Sequence, residues 1–155
     1  MKKINEKGIT LVALVITIIV LLIIISITVS ISGNQIKETK SRKIATELGI
    51  VEHALLETKT KIEYTGDDYP GSPVSSEELN TLTSKMGISN LLDEEHIENY
   101  YLLEEENLRK IGIENSEYKY IVNYKTGEVL NKDVPLDSFG NASYTYPGKQ
   151  EDRSN

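Results

Sequence analysis

The sequence predicts an α+β protein in which one long N-terminal helix, apolar all round and then amphipathic, packs on a small antiparallel sheet with short helices. Ile9 to Ile31 carries no charge. Ile44, Leu48, Val51, Leu55 and Ile62 then recur at i, i+4, i+7, i+11 and i+18, which is one face of a helix. Further on, "YKYIVNYKTGEVLN" sets two β-rich runs around a turn containing Thr126 and Gly127, the pattern of a hairpin.

Composition narrows the function classes. The chain has 155 residues, so beyond the apolar run roughly 120 remain for one small water-soluble domain. The balance of 17 basic and 24 acidic residues gives a net charge of −7, which argues against a nucleic-acid partner, because phosphate binding needs clustered Lys and Arg. Cysteine is absent, which removes disulfides, thiolate zinc sites and cysteine nucleophiles. Tryptophan is absent too, whereas Tyr occurs nine times, a density suited to half-exposed sheet faces with packed rings and wet hydroxyls.

The run from Ile9 to Ile31 has 23 residues, 17 of them Ile, Leu or Val. As a helix it spans roughly 34 Å, enough to cross a bilayer with some tilt. In water so many β-branched residues favour strand, but in lipid every backbone N–H and C=O must pair internally, and that enforces helix. An ordinary secretory signal has a shorter apolar region of about 7–15 residues. The membrane lipid is therefore the first expected partner. Charge leaves orientation open, since Lys2, Lys3 and Lys7 precede the run and Lys37, Lys40, Arg42 and Lys43 follow it. Placing the larger acidic part outside the cell is preferred.

"KGITLVALVITIIVLLIII" resembles the N-terminal signal of type IV prepilins and of type II secretion pseudopilins. The resemblance implies a basic leader over 1–8 with charges Lys2, Lys3 and Lys7. A prepilin peptidase would cut after Gly8, and the new terminus at Ile9 would be methylated. Residues 9–32 would then form a retained transmembrane and filament-core helix, 33–63 its amphipathic continuation, and 64–155 an α+β head outside the cytoplasm. Other pilin-like subunits would be partners through the N-terminal helix, with no cofactor and no metal. The chain departs from the family at the fifth mature position, where Ala13 stands in place of the usual Glu. Removing that carboxylate spares a costly charge in the bilayer but deletes an assembly contact, so a minor or divergent subunit suits the resemblance better than a major one. The alternative is an uncleaved single-pass anchor bearing an extracytoplasmic binding head.

Within the helix, Gly33 and Asn34 permit a bend, which leaves one helix or two as alternatives. "YTGDDYPGSPVSS" reads as a loop. Ser75 and Glu78 have capping-box spacing ahead of a helix over 76–86, with Gly87 at its end. "NYYLL" reads as a strand and "EEENLRKIG" as a helical turn. "VPLDSFGNASYTYPG" weakly resembles the ending of major pseudopilin heads through Asp137, Phe139, Gly140, Asn141, Tyr144 and Tyr146. The amphipathic stripe laid on the hairpin is expected to bury a single small core.

Little points to catalysis. His53 and His96 have no second ligand set at metal spacing, and a metal site needs three or four convergent groups. Asp67 and Asp68 fall in the Gly/Pro loop, where turn bonding accounts for them. Phosphate-binding and nucleophile motifs are absent from the sequence, and the chain is expected not to be an enzyme.

Overall fold

A computed structural model describes residues 6–89 and 94–145, with side chains described for 11–26, 32–89 and 97–145. The architecture is α+β, with a five-stranded antiparallel sheet. Helix α1 covers Glu6–Thr65 and includes Gly33 without interruption. By compactness the chain divides into two units, Met1–Thr39 and Lys40–Asn155.

The second unit holds the sheet. Strands β1 (Ser72–Pro73), β2 (Tyr100–Leu103), β3 (Tyr120–Asn123), β4 (Val129–Asn131) and β5 (Tyr144–Thr145) pair in that order, each antiparallel to the next. The β3–β4 hairpin forms where the two β-rich runs place it, with Ile121 opposite Leu130 and Val122 opposite Val129. Its turn is held by the Asn123 side chain, whose Oδ1 accepts from the Lys125 and Thr126 amides. Strand β1 lies inside the segment read as loop. Pro73 lacks an N–H to donate, which an edge position tolerates, and Gly71 beside it has φ +116°.

Helix α2 (Ser76–Met86) begins at Ser75, whose hydroxyl accepts from the Glu78 amide, and ends at Gly87 in the left-handed conformation. The reciprocal half of the expected capping box gives way to tertiary contact, because the Glu78 carboxylate accepts from Lys132 instead. A 3-10 turn (Glu94–Asn99) leads into β2, and α3 (Glu105–Lys110) follows it with Glu105 and Glu106 in its first turn and Arg109 and Lys110 in its last. These charges oppose the helix dipole at both ends.

The expectation of a single core is corrected. Two clusters form, one on each face of the sheet. On one face Ile44, Leu48, Val51 and Leu55 of α1 meet Leu103, Tyr120, Val122 and Val129. On the other, Leu79, Leu82 and Met86 of α2 meet Tyr100, Ile121 and Leu130. Successive strand residues point to opposite faces, so Tyr120 and Val122 turn to α1 while Ile121 turns to α2. A central strand covered on both sides has no wet face.

The tyrosines shift accordingly. Tyr100, Tyr120 and Tyr124 are fully or almost fully buried rather than half-exposed. The Tyr100 hydroxyl donates to buried Glu128 at 2.6 Å, and that of Tyr124 donates to the Pro70 carbonyl at 2.9 Å. Tyr69 stacks on Tyr124 with ring centroids 4.4 Å apart, and Tyr101 meets the same ring edge-on at 5.5 Å. For Tyr100 and Tyr124, burial with a satisfied hydroxyl replaces wetting.

Candidate functional site

The feature that most demands a partner is the first unit. From Leu11 to Ile25 every Ile, Leu and Val is exposed, each by about half, on all sides of the helix. A contiguous exposed apolar surface of this kind is the physical mark of an interaction surface. Its polar groups are turned inward: Thr17 Oγ1 donates to the Leu14 carbonyl at 2.7 Å and Ser26 Oγ to the Leu22 carbonyl at 2.8 Å. Hydroxyls bonded to their own helix no longer need water.

Among the described residues no helix is long and apolar enough to cross a membrane. The stretch with described side chains, Leu11–Ser26, has 16 residues, about 24 Å of helix at 1.5 Å per residue. Residues 9–10 and 27–31, which complete the charge-free run, belong to α1 but lie outside the described side chains.

The sequence-predicted site residues fall as follows. Lys2 and Lys3 lie outside the described residues. Lys7, Gly8 and Ile9 belong to the first turns of α1, their side chains outside those described. Ala13 is exposed among Leu11, Val12, Leu14 and Val15. Since α1 starts at Glu6, the Gly8–Ile9 bond sits in helical backbone.

In the second unit, His53 is exposed and lines a shallow groove with Ile50, Glu57 and Lys61. The His96 side chain lies outside those described. No group of three or more His, Asp or Glu positioned to hold a metal occurs among the described residues. Asp67 accepts from the Thr65 hydroxyl at 2.7 Å in the turn that follows α1. Asp137 serves a turn as well, its Oδ1 accepting from the amides of Phe139 and Asn141 at 2.8 and 2.9 Å. Burial pushes its carboxyl up, yet these donors outweigh burial and hold it below the usual range. Tyr144 enters β5, and Tyr146 lies outside the described residues.

Two carboxylates escape a reading of the sequence. Glu128, 2% exposed, accepts from Tyr100 and from Thr126 Oγ1 at 2.8 Å, tying the hairpin turn to β2. Glu47 stands one residue before Leu48 of the buried stripe and turns one oxygen into the protein, where it meets no hydrogen-bond partner. Glu128 follows a turn glycine and Glu47, only half-buried, stands on α1 beside the stripe, so nothing local marks Glu128 as buried or one Glu47 oxygen as enclosed.

Comparisons with known family models, with curated proteins and with solved structures returned no match.

Proposed function

We propose that the chain is a pilin-like or pseudopilin-like structural subunit of a cell-envelope filament or of a secretion or DNA-uptake machine. It is anchored in the membrane by α1 and carries its α+β head outside the cytoplasm. The observation that supports this reading is the all-round exposure of the apolar side chains from Leu11 to Ile25, because such a surface requires lipid or like helices around it. A machine can draw the helix from the bilayer only where neighbouring apolar helices cover what lipid had covered. The role is mechanical and associative, without catalysis or cofactor.

In this reading a prepilin peptidase cuts after Gly8 and Ile9 is methylated, leaving Lys2, Lys3 and Lys7 with the discarded leader. Cleavage of a bond held in the first turns of α1 requires those turns to unwind, and Gly8 eases unwinding by about 1 kcal/mol relative to Ala. Mass spectrometry of the protein from its own host provides the test. The expected chain begins at methylated Ile9; an intact Met1 in a strain with active prepilin peptidase overturns processing and favours the second reading, an uncleaved single-pass anchor with a binding head. Ala13 favours that second reading, since the fifth position after Gly8 carries no carboxylate to guide subunit docking. Sheared surface fibres containing the chain separate the two.

A further inference from the structure

Outside α1, only two large apolar side chains are exposed among the described residues, and both belong to one turn. Leu136 is 41% exposed and Phe139 57%. The turn is closed upon itself. Asp137 Oδ1 accepts from the Phe139 and Asn141 amides, its Oδ2 accepts from Asn141 Nδ2 at 3.2 Å, and the Gly140 amide donates to the Asp137 carbonyl at 3.1 Å. With these polar groups paired internally, the tip can leave bulk water at little desolvation cost.

Its place in the head is fixed at two points along α1. Leu48 shares a cluster with Val129, and Val129 pairs with Thr145 of β5. Ser41, two turns earlier on α1, lies beside Asp137. The segment from β5 back to the turn therefore follows α1 toward the point where it enters the head. There Lys40 is exposed, Ser41 is half-buried and Ile44 is buried. Lys40, Arg42 and Lys43 share that end. The acids beside them are engaged, Glu117 by Lys43 at 2.8 Å and Asp137 by the amides of its own turn. Lys40 follows Ile31 by nine residues, at most about 30 Å of extended chain.

An aromatic ring, an aliphatic side chain and a set of cations, all at the end of the head that the apolar run leads into, match the layer between water and hydrocarbon. Phe and Leu settle at the boundary of headgroups and acyl chains, while Lys and Arg near a bilayer are drawn to its anionic groups. A specific protein interface takes about 20–30 residues from each side, far more than this turn supplies. Lipid requires no matching shape.

We propose that this end of the head docks on a phospholipid surface, with Phe139 and Leu136 entering the boundary of headgroups and acyl chains and Lys40 and Arg42 meeting lipid phosphates. Such docking rests on membrane anchoring of the apolar run, as read above.

The chain contains no Trp, so Phe139→Trp and Ile18→Trp each install a single fluorophore, one on the turn and one in the run. The full-length variants are reconstituted in phosphatidylcholine–phosphatidylglycerol vesicles whose acyl chains carry bromine either near the headgroup or near the chain end. Phe139→Trp is expected to be quenched more by the shallow bromines, and Ile18→Trp more by the deep ones. Adding Lys40→Glu and Arg42→Glu is expected to lower the quenching of Phe139→Trp at least about twofold while that of Ile18→Trp persists. Quenching of Ile18→Trp without quenching of Phe139→Trp overturns the docking and leaves the anchor standing; quenching of neither overturns both. A blue shift of Phe139→Trp that escapes bromine quenching and grows with protein density assigns the turn to a second copy and overturns the lipid proposal. Quenching unchanged by the two charge reversals overturns it as well.

Discussion

Gly71 shows how much one residue can carry. A Cβ placed there would lie 2.9 Å from the Leu102 carbonyl oxygen and from Leu103 Cδ2, and φ +116° is a conformation that L side chains rarely adopt. Gly71→Ala is therefore expected to destabilise the head by about 1–3 kcal/mol, read as a lower urea midpoint in the near-ultraviolet dichroism of the tyrosines. Tyr120 and Tyr124 make a second prediction. Burial raises both hydroxyls well above the ordinary tyrosine value, which favours the neutral form in the folded state. Their contribution to stability is complete below the unfolded value of about 10 and is lost as pH rises through and beyond it. Phenolate absorbance is expected to show these two rings ionising only together with loss of the fold.

Among the elements, the second half of α1 divides sharply between adjacent positions. Leu55 is 1% exposed against the sheet, whereas Leu56 is 45% exposed. Leu55→Ala is expected to cost about 2–5 kcal/mol, and Leu56→Ala less than about 1 kcal/mol, by chemical denaturation of the full chain in micelles. For α2, Ser75→Ala removes the bond accepted from the Glu78 amide and is expected to cost about 1 kcal/mol. These elements were legible in the sequence because their signals are local. The stripe repeats at helical period, Ser75 and Gly87 bracket α2, and the hairpin surrounds its turn. Strand β1 was not legible, since Ser72 and Pro73 have no strand propensity and pair only because β2 offers an open edge. A cavity that Glu47 and Tyr120 line was hidden for a related reason: its walls come from α1, the loop after α3 and β3, far apart in the chain.

At the scale of the whole molecule, the sheet is covered by α1 on one face and α2 on the other, while the apolar side chains described from Leu11 to Ile25 are exposed. The proposed anchoring is open to direct perturbation. Val20→Arg places a charge in the middle of the apolar run, at a cost of about 2.5–3.5 kcal/mol to insertion, and is expected to lower the fraction of chain resistant to carbonate extraction from membranes. Gly8→Ala is expected to leave that fraction unchanged while the leader stays attached, as read by mass. Membrane retention and processing thus separate by residue.

The helical period of the stripe, the ends of α2, the hairpin and the charge-free run are local properties of the chain, because each depends on neighbours within a few residues or a few turns. That β3 is buried on both faces, that three tyrosines leave solvent, and that Glu47 and Tyr120 line one cavity are properties of the folded chain alone. Those outcomes depend on which surfaces meet after the chain has folded back on itself. An alternating strand carries apolar groups on both sides without saying what will cover them; here α1 covers one side and α2 the other.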